Sequence, residues 1–185
     1  MKINTVFLLF GLLVNSQVFA DTKNLFSSQK FSFEYPSDWL DKKSQFPTVQ
    51  AAVGPKGESS ECSVNVKEVP SNVSQADLDA YLLQKPDSAD YETTFKLQYN
   101  DVKVIQTGNS ILGKLPAQVV RVRYSVGSTK DKVYVHSLIF STATLRNSFT
   151  LTCGSTGSSQ LIADEIFNKW LMTFNKLIAT FRILQ

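Results

Sequence analysis

The chain has 185 residues, of which 43% are hydrophobic, with 19 basic and 16 acidic side chains and a formal net charge of +3 at pH 7. This length suits one domain with a substantial core and is too short for two ordinary domains. The near-neutral charge gives no reason to expect a nucleic-acid-binding protein, and no repeat or low-complexity tract indicates disorder.

Residues 1–20 have the pattern of a bacterial secretory signal peptide. Lys2 gives a basic start, an apolar run follows, and Val18 and Ala20 place small residues before a cut after position 20. The apolar run is too short for a permanent transmembrane helix. We therefore expect cleavage, a mature single domain of residues 21–185 without stable membrane insertion, and a location in the periplasm or outside the cell.

The first half of the mature chain is typical of strands followed by a short helix. Residues 21–30 are expected to be a polar lead-in, and alternating or short apolar runs predict strands at residues 31–35, 49–53 and 62–69. Ser74 and Asp77 have the spacing of a capping box. They predict a short amphipathic helix that ends before Pro86.

Two cysteines follow the expected cut, Cys62 and Cys153. Each alternates with polar residues in a strand pattern and shares its apolar face with neighbours such as Val64 or Leu151, so both thiols are expected to face inward. An even number of cysteines in an exported chain favours a disulfide, provided that the two strands are neighbours. Two buried free thiols are the alternative. Neither cysteine has the setting of a catalytic thiol.

The middle of the chain is rich in strands. Alternation at Phe95, Leu97 and Tyr99 predicts one strand, and further strands are predicted at residues 102–107, 115–126, 132–142 and 148–153, with a hairpin turn at 127–130. Hairpins without intervening helices require antiparallel pairing.

Arg121 and Arg123 alternate with Val120 and Val122 in the longest of these strands. The two arginines therefore lie on the face opposite the valines. With lysines across the hairpin they are expected to form a basic strip on the outer face, where they could contact an acidic partner or a lipid headgroup. The alternative is that they serve only solubility.

The period of the apolar residues changes from two to that of a helix near the end of the chain. Residues 154–159 are expected to form a flexible turn, and Ser158 or Ser159 can cap the helix. Apolar residues then recur at helical spacing, at Ile162, Ile166, Trp170, Phe174, Ile178 and Phe181. Strands, a short helix, more strands and a long closing helix predict an α+β fold, an antiparallel sheet with helices packed on it.

No catalytic, cofactor-binding or metal-binding residue is predicted. His136 is the only histidine, and a Ser–His–Asp arrangement would need partners that the sequence does not mark. We expect His136 to be structural or exposed. The acidic pairs Glu58/Glu61 and Asp87/Asp90 lie in predicted polar loops that do not resemble a calcium-binding EF-hand.

The segment from Phe31 to Trp39, FSFEYPSDW, resembles the first signature of PsbP-like domains. The strand near Val64, the capped helix at Ser74, the LGKLPA segment, the hairpin, the FTLT strand and the closing helix follow in the order of that family. The resemblance implies a Mog/PsbP-type α/β/α sandwich. Photosynthetic members are extrinsic factors of photosystem II connected with calcium and chloride retention, whereas relatives in other bacteria are exported proteins without assigned activity. This chain resembles the second kind, and no metal-binding residue carries over.

These observations favour an exported, non-catalytic accessory or binding module that contacts an unidentified protein or envelope component. The alternative is a periplasmic protein that binds a small ligand or a metal in the crevice between sheet and helix or at the acidic residues of the loops. An unrecognised hydrolase is a third hypothesis.

Overall fold

The computed structural model describes residues 22–44 and 46–184. The expected signal peptide, residues 1–20, lies outside the described residues. Ten strands and three helices are present in the described ranges: β1 (Lys23–Ser27), β2 (Phe31–Pro36), β3 (Trp39–Asp41), β4 (Val49–Pro55), β5 (Ser60–Glu68), α1 (Gln75–Leu83), α2 (Ser88–Lys96), β6 (Asn100–Leu112), β7 (Leu115–Val126), β8 (Val133–Ala143), β9 (Asn147–Gly157), α3 (Gln160–Thr180) and β10 (Arg182–Ile183).

Seven strands form the main sheet, in the order β3-β4-β5-β9-β8-β7-β6, and all of its neighbours pair antiparallel. A smaller sheet has the order β1-β2-β10 and is also antiparallel. The predicted α+β fold with helices on an antiparallel sheet is confirmed. The structure also contains a second sheet and a third helix, which the sequence analysis does not predict.

One face of the main sheet is covered by α3 together with the small sheet. The N-cap of α3 is Ser159, whose side chain accepts a hydrogen bond from the backbone N–H of Ile162. The main core fills this layer, and its large fully buried side chains include Trp39, Phe31, Phe33, Phe149, Phe167, Phe174 and Phe181. Ile162, expected in the apolar stripe of α3, is instead 40% exposed. The stripe is centred on Phe167 and Phe174, which meet the sheet directly.

The other face carries α1 and α2 over a smaller core that includes Val120 and Val122. The predicted capping box of α1 is confirmed, since Ser74 and Asp77 bond reciprocally. Helix α2 was not predicted. Its N-cap is Asp87, which accepts from two backbone N–H groups, so this acid caps a helix rather than lying in a loop.

Three predictions about where strands begin and end were wrong. Phe95 lies in α2, and β6 begins only at Asn100, so the alternation from residue 95 to 99 is not a strand. Residues 23–27, expected as a polar lead-in, form β1 because β2 supplies a complete pairing partner. Likewise the expected turn after Cys153 continues as strand to Gly157, where β5 and β8 flank most of β9.

No helix within residues 22–44 and 46–184 is both long enough and apolar enough to cross a bilayer.

Candidate functional site

The two predicted disulfide cysteines are joined. Cys62 on β5 and Cys153 on β9 are register partners of neighbouring strands, and their sulfurs lie 2.06 Å apart. Both residues are buried in the main core. The structure thus confirms the disulfide and excludes the alternative of two free thiols in the described protein.

Arg121 and Arg123 do not lie on an open outer face, and this expectation was wrong. Val120 and Val122 lie on the face opposite the arginines, as predicted, and this face meets α1 and α2, but the face with the arginines is the one that meets α3. Arg121 is half-buried beside Asn168 of α3, and Arg123 pairs with an acid of the same helix. A role of these two residues in partner contact stays a prediction.

Arg123 is neutralised where β7 faces the first half of α3. Its guanidinium lies 2.8 Å from a carboxylate oxygen of Asp164. The other oxygen of Asp164 lies 2.7 Å from Nδ1 of His136, outside the favoured direction of the ring N–H, and Gln160 donates to it at 2.9 Å. At this distance the carboxylate of Asp164 and the imidazole of His136 interact electrostatically, although the hydrogen-bond geometry is poor. Asp164 thereby anchors α3 to both β7 and β8.

His136 is fully buried and connects Asp164 to Arg121. Its Nε2 accepts a hydrogen bond of 2.8 Å from Nε of Arg121, so in the neutral ring the proton belongs to Nδ1, facing Asp164. The ring stacks on Phe167 with a centroid separation of 3.9 Å and an interplanar angle of 8°. Burial, and next the charge of Arg121, lower the pKa of His136 to about 4 against the opposing effect of Asp164. His136 is therefore neutral at pH 7 and structural, one of the two expected possibilities.

Two buried serines lie in the same row of the sheet. Cross-strand register places Ser60, Ser155, His136 and Arg123 side by side on β5, β9, β8 and β7. The hydroxyls of Ser60 and Ser155 bond to each other at 2.6 Å, which satisfies both polar groups away from water. Among the described residues His136 has its only aligned hydrogen bond with Arg121. The row is thus not a Ser–His–Asp relay, because Nε2 of the imidazole already accepts from a cation.

Arg121 stands at one end of a groove between α3 and strands β6, β7 and β8. The groove has a volume of about 240 Å³, and its walls include Val119, Leu138, Phe140 and Leu171. The guanidinium carbon of Arg121 also lies 4.9 Å from the centroid of the Phe167 ring. No acidic side chain of the described residues lies within ion-pair distance of Arg121, in contrast to Arg123. The site therefore combines one cation without a direct ion pair among the described residues with apolar walls.

Other singled-out residues hold the fold together. Trp39 is buried and packs against Trp170 in an edge-to-face arrangement. Trp170 is half-buried against the main core and donates Nε1–H to Glu58 at 2.7 Å. Glu58 also pairs with Lys169, and hydrogen bonding from Lys169 lowers the pKa of its carboxyl. This acid, expected in a solvated loop, ties the β4–β5 turn to α3. In the described ranges no group of three or more His, Cys, Asp or Glu side chains is placed to hold a metal ion.

No sequence motif indicates the groove beside Arg121. The alternation in β7 separates Arg121 from Val120, but only the path of α3 determines which face becomes half-buried. The available indication was the helical spacing of Asp164, Asn168 and Leu171, which places polar and apolar groups in one row along α3. Which residues of β7 contact that row of α3 depends on the strand register and on the position of the helix, which the sequence does not show.

Comparison with solved structures assigns the fold. The chain is similar to cyanobacterial PsbP (CyanoP) of Synechocystis, with a TM-score of 0.61 and 17% sequence identity over 90% of this chain and 95% of that one. It is also similar to LpqN of Mycobacterium tuberculosis, a protein involved in cell envelope biogenesis, with a TM-score of 0.50 and 10% identity over 88% and 90% of the two chains. No family model and no curated protein matches the sequence. The predicted PsbP-like fold is confirmed, and identities this low show the fold alone.

Proposed function

We propose that this chain is an exported, non-catalytic accessory protein of the bacterial cell envelope that acts by binding a partner through its surface. The observation that carries the proposal is the Arg121–His136–Asp164 assembly. The only imidazole of the chain is fully buried and serves as a support that holds a cation on β7, one strand in from the edge of the sheet. An imidazole in that position stabilises a binding surface and has no access to a substrate.

Two further observations support export. The sequence of residues 1–20 is typical of a signal peptide, and the disulfide between Cys62 and Cys153 is of a kind that persists in oxidising compartments. The fold is shared with LpqN, which is involved in envelope biogenesis. On this proposal residues 1–20 are removed, residues 21–185 form one domain, and the protein is periplasmic or secreted.

The surface proposed for the partner is the part of the α3-side face that extends beyond α3, on β6 and β7. Lys103 is the register partner of Arg123 and is exposed, and Gln106 is the partner of Arg121. Because Asp164 compensates Arg123, the charge available to a partner comes from Lys103 and Arg121. An acidic patch on a protein or envelope component complements this surface.

Export is tested by fractionating cells and measuring the intact mass of the protein. We expect a periplasmic or secreted species that begins at residue 21 and loses the mass of two hydrogens through one disulfide. A cytoplasmic species that retains residues 1–20 would contradict the export part of the proposal.

Partner binding is tested by quantitative capture from solubilised envelopes. The baits are the wild-type protein, Lys103→Glu, and the matched control Lys85→Glu, whose exposed lysine follows α1 on the other side of the sheet. We expect one component to be enriched by the wild type and by Lys85→Glu and lost with Lys103→Glu. Equal loss with both variants, or no loss with either, would argue against the proposed surface.

A further inference from the structure

Three successive levels of side chains between β7 and α3 lead to the groove beside Arg121. At the first level Arg123 faces Asp164, and at the second Arg121 faces Asn168 at 3.4 Å. At the third level, where Val119 faces Leu171, no charged group is present and the groove opens. The structure therefore places a cation that makes no salt bridge among the described residues directly beside an apolar cleft.

The guanidinium of Arg121 is held in place but is not saturated. Its Nε–H bonds to His136 at 2.8 Å, and one terminal nitrogen makes the long contact with Asn168. A guanidinium has five N–H donors, so about three have no acceptor among the described residues. The stacked rings of His136 and Phe167 lie against this group and limit its movement. Such a fork is suited to a carboxylate, which it can bind through two parallel hydrogen bonds.

The rest of the groove is suited to hydrocarbon. Val119, Leu138 and Leu171 are half-buried and leave apolar surface uncovered in the cleft, whereas Phe140 is buried and contributes only its edge to the lining. The volume of about 240 Å³ lies just below the range of about 300–1,000 Å³ typical of sites for drug-sized ligands, so the groove suits a small molecule. Gln106 and Asn175 provide neutral polar groups in the lining and add no further charge.

We propose that this groove binds a small carboxylate with an apolar tail, such as a medium-chain fatty acid. The carboxylate pairs with Arg121, and the tail lies along the walls formed by Val119, Leu138, Phe140 and Leu171. A single cation sets the preference for one negative charge, and the apolar cleft sets the preference for a tail over a bare anion. This function goes beyond the binding of an envelope partner at the surface that includes Lys103, although both proposals use the charge of Arg121.

The test uses the whole exported protein and follows backbone NMR shifts during titration with sodium octanoate below its critical micelle concentration. Two probes separate head from tail, namely sodium acetate, which has no tail, and 1-octanol, which has no charge. We expect saturable shifts at groove residues with octanoate, binding about tenfold weaker for octanol, and no saturable binding of acetate, since a hydrogen bond to a charged group contributes roughly this factor.

Three variants locate the interaction. Arg121→Gln is expected to weaken octanoate binding about tenfold while leaving octanol binding unchanged. Val119→Trp fills the cleft with Arg121 intact and is expected to abolish the binding of both probes. Lys85→Gln removes a charge on the other side of the sheet and is expected to bind octanoate like the wild type.

Several results would overturn the proposal. They are equal binding of octanoate and octanol to the wild type, octanoate binding that Arg121→Gln leaves unchanged, shifts that map away from the groove, and the absence of saturable binding. If Arg121→Gln does not fold, the comparison of octanoate with octanol on the wild type and the Val119→Trp result decide the matter. Loss of partner capture with Lys103→Glu does not enter this test, so the two proposals can fail separately.

Discussion

The buried imidazole of His136 makes the stability of this protein depend on pH in a window where no other side-chain type normally titrates. In the unfolded chain a histidine has a pKa near 6.5, whereas in the fold the pKa of His136 is lowered to about 4. Between these values the unfolded chain binds a proton that the folded protein does not. Stability is therefore complete above the unfolded pKa and falls as the pH is lowered toward the folded pKa.

The size of the effect follows from the two pKa values. Each pH unit within the window changes the free energy of unfolding by up to about 1.4 kcal/mol. Lowering the pH from about 7 to about 5 should therefore reduce the free energy of unfolding by about 2 kcal/mol, and the full shift of the pKa corresponds to about 3 kcal/mol. Because the chain contains one histidine, His136 is the main source of the slope, and carboxyls with lowered pKa values such as Glu58 add to it only near pH 5.

The assay is urea unfolding at a series of pH values, followed by circular dichroism, on protein carrying no histidine tag. His136→Gln should be less stable than the wild type at pH 7 but should lose the slope between about pH 5 and pH 7. Asp101→Asn is a suitable control, since Asp101 is exposed and its lowered pKa, caused first by its contact with Lys132, acts at lower pH. The reasoning would be refuted if the wild type showed no slope in this window or if His136→Gln kept it.

Three other substitutions test the supports of the fold by chemical denaturation. Asp164→Ala leaves Arg123 and His136 without their shared partner and should cost about 2 kcal/mol, whereas no loss would show that these contacts are not stabilising. Replacing both Cys62 and Cys153 by Ala removes a cross-link between residues 91 apart and should lower the free energy of unfolding by about 2–4 kcal/mol. Reduction of the wild-type disulfide should lower it by the same amount. An unchanged unfolding midpoint would contradict a stabilising role of the disulfide. Gly157→Ala would bring a Cβ to 2.6 Å from a backbone nitrogen of α3 and should lower stability by about 1–3 kcal/mol, and a neutral result would mean that α3 can shift without loss.

Strand alternation and capping patterns predict an antiparallel sheet with helices packed on it, but not the small second sheet or helix α2. The pattern at Cys62 and Cys153 placed both thiols inward, and the structure joins them across adjacent strands. The Ser74 capping box likewise marked the start of α1. A capping box depends on residues a few positions apart, and the face of a strand residue depends on the two-residue alternation of side chains. Both can therefore be predicted from the local sequence.

The remainder depended on contacts between distant segments. Phe95 alternates with polar neighbours as a strand residue would, yet Asp87 caps a helix that includes it and that packs on β6. Arg121 and Arg123 were assigned to one face of β7, but only the placement of α3 makes that face half-buried and brings Asp164 within 2.8 Å of Arg123. The groove beside Arg121 could not be predicted, because it is formed by strands and a helix widely separated in sequence.

The most direct test of the proposed mode of action is photo-crosslinking in growing cells, with a photoreactive amino acid at position 103 and, as the control, at position 85. If the protein acts by holding an envelope partner on the face formed by β6 and β7, illumination should give one defined adduct from position 103 and none from position 85. Adducts of the same kind from both positions, or from position 85 alone, would contradict the account.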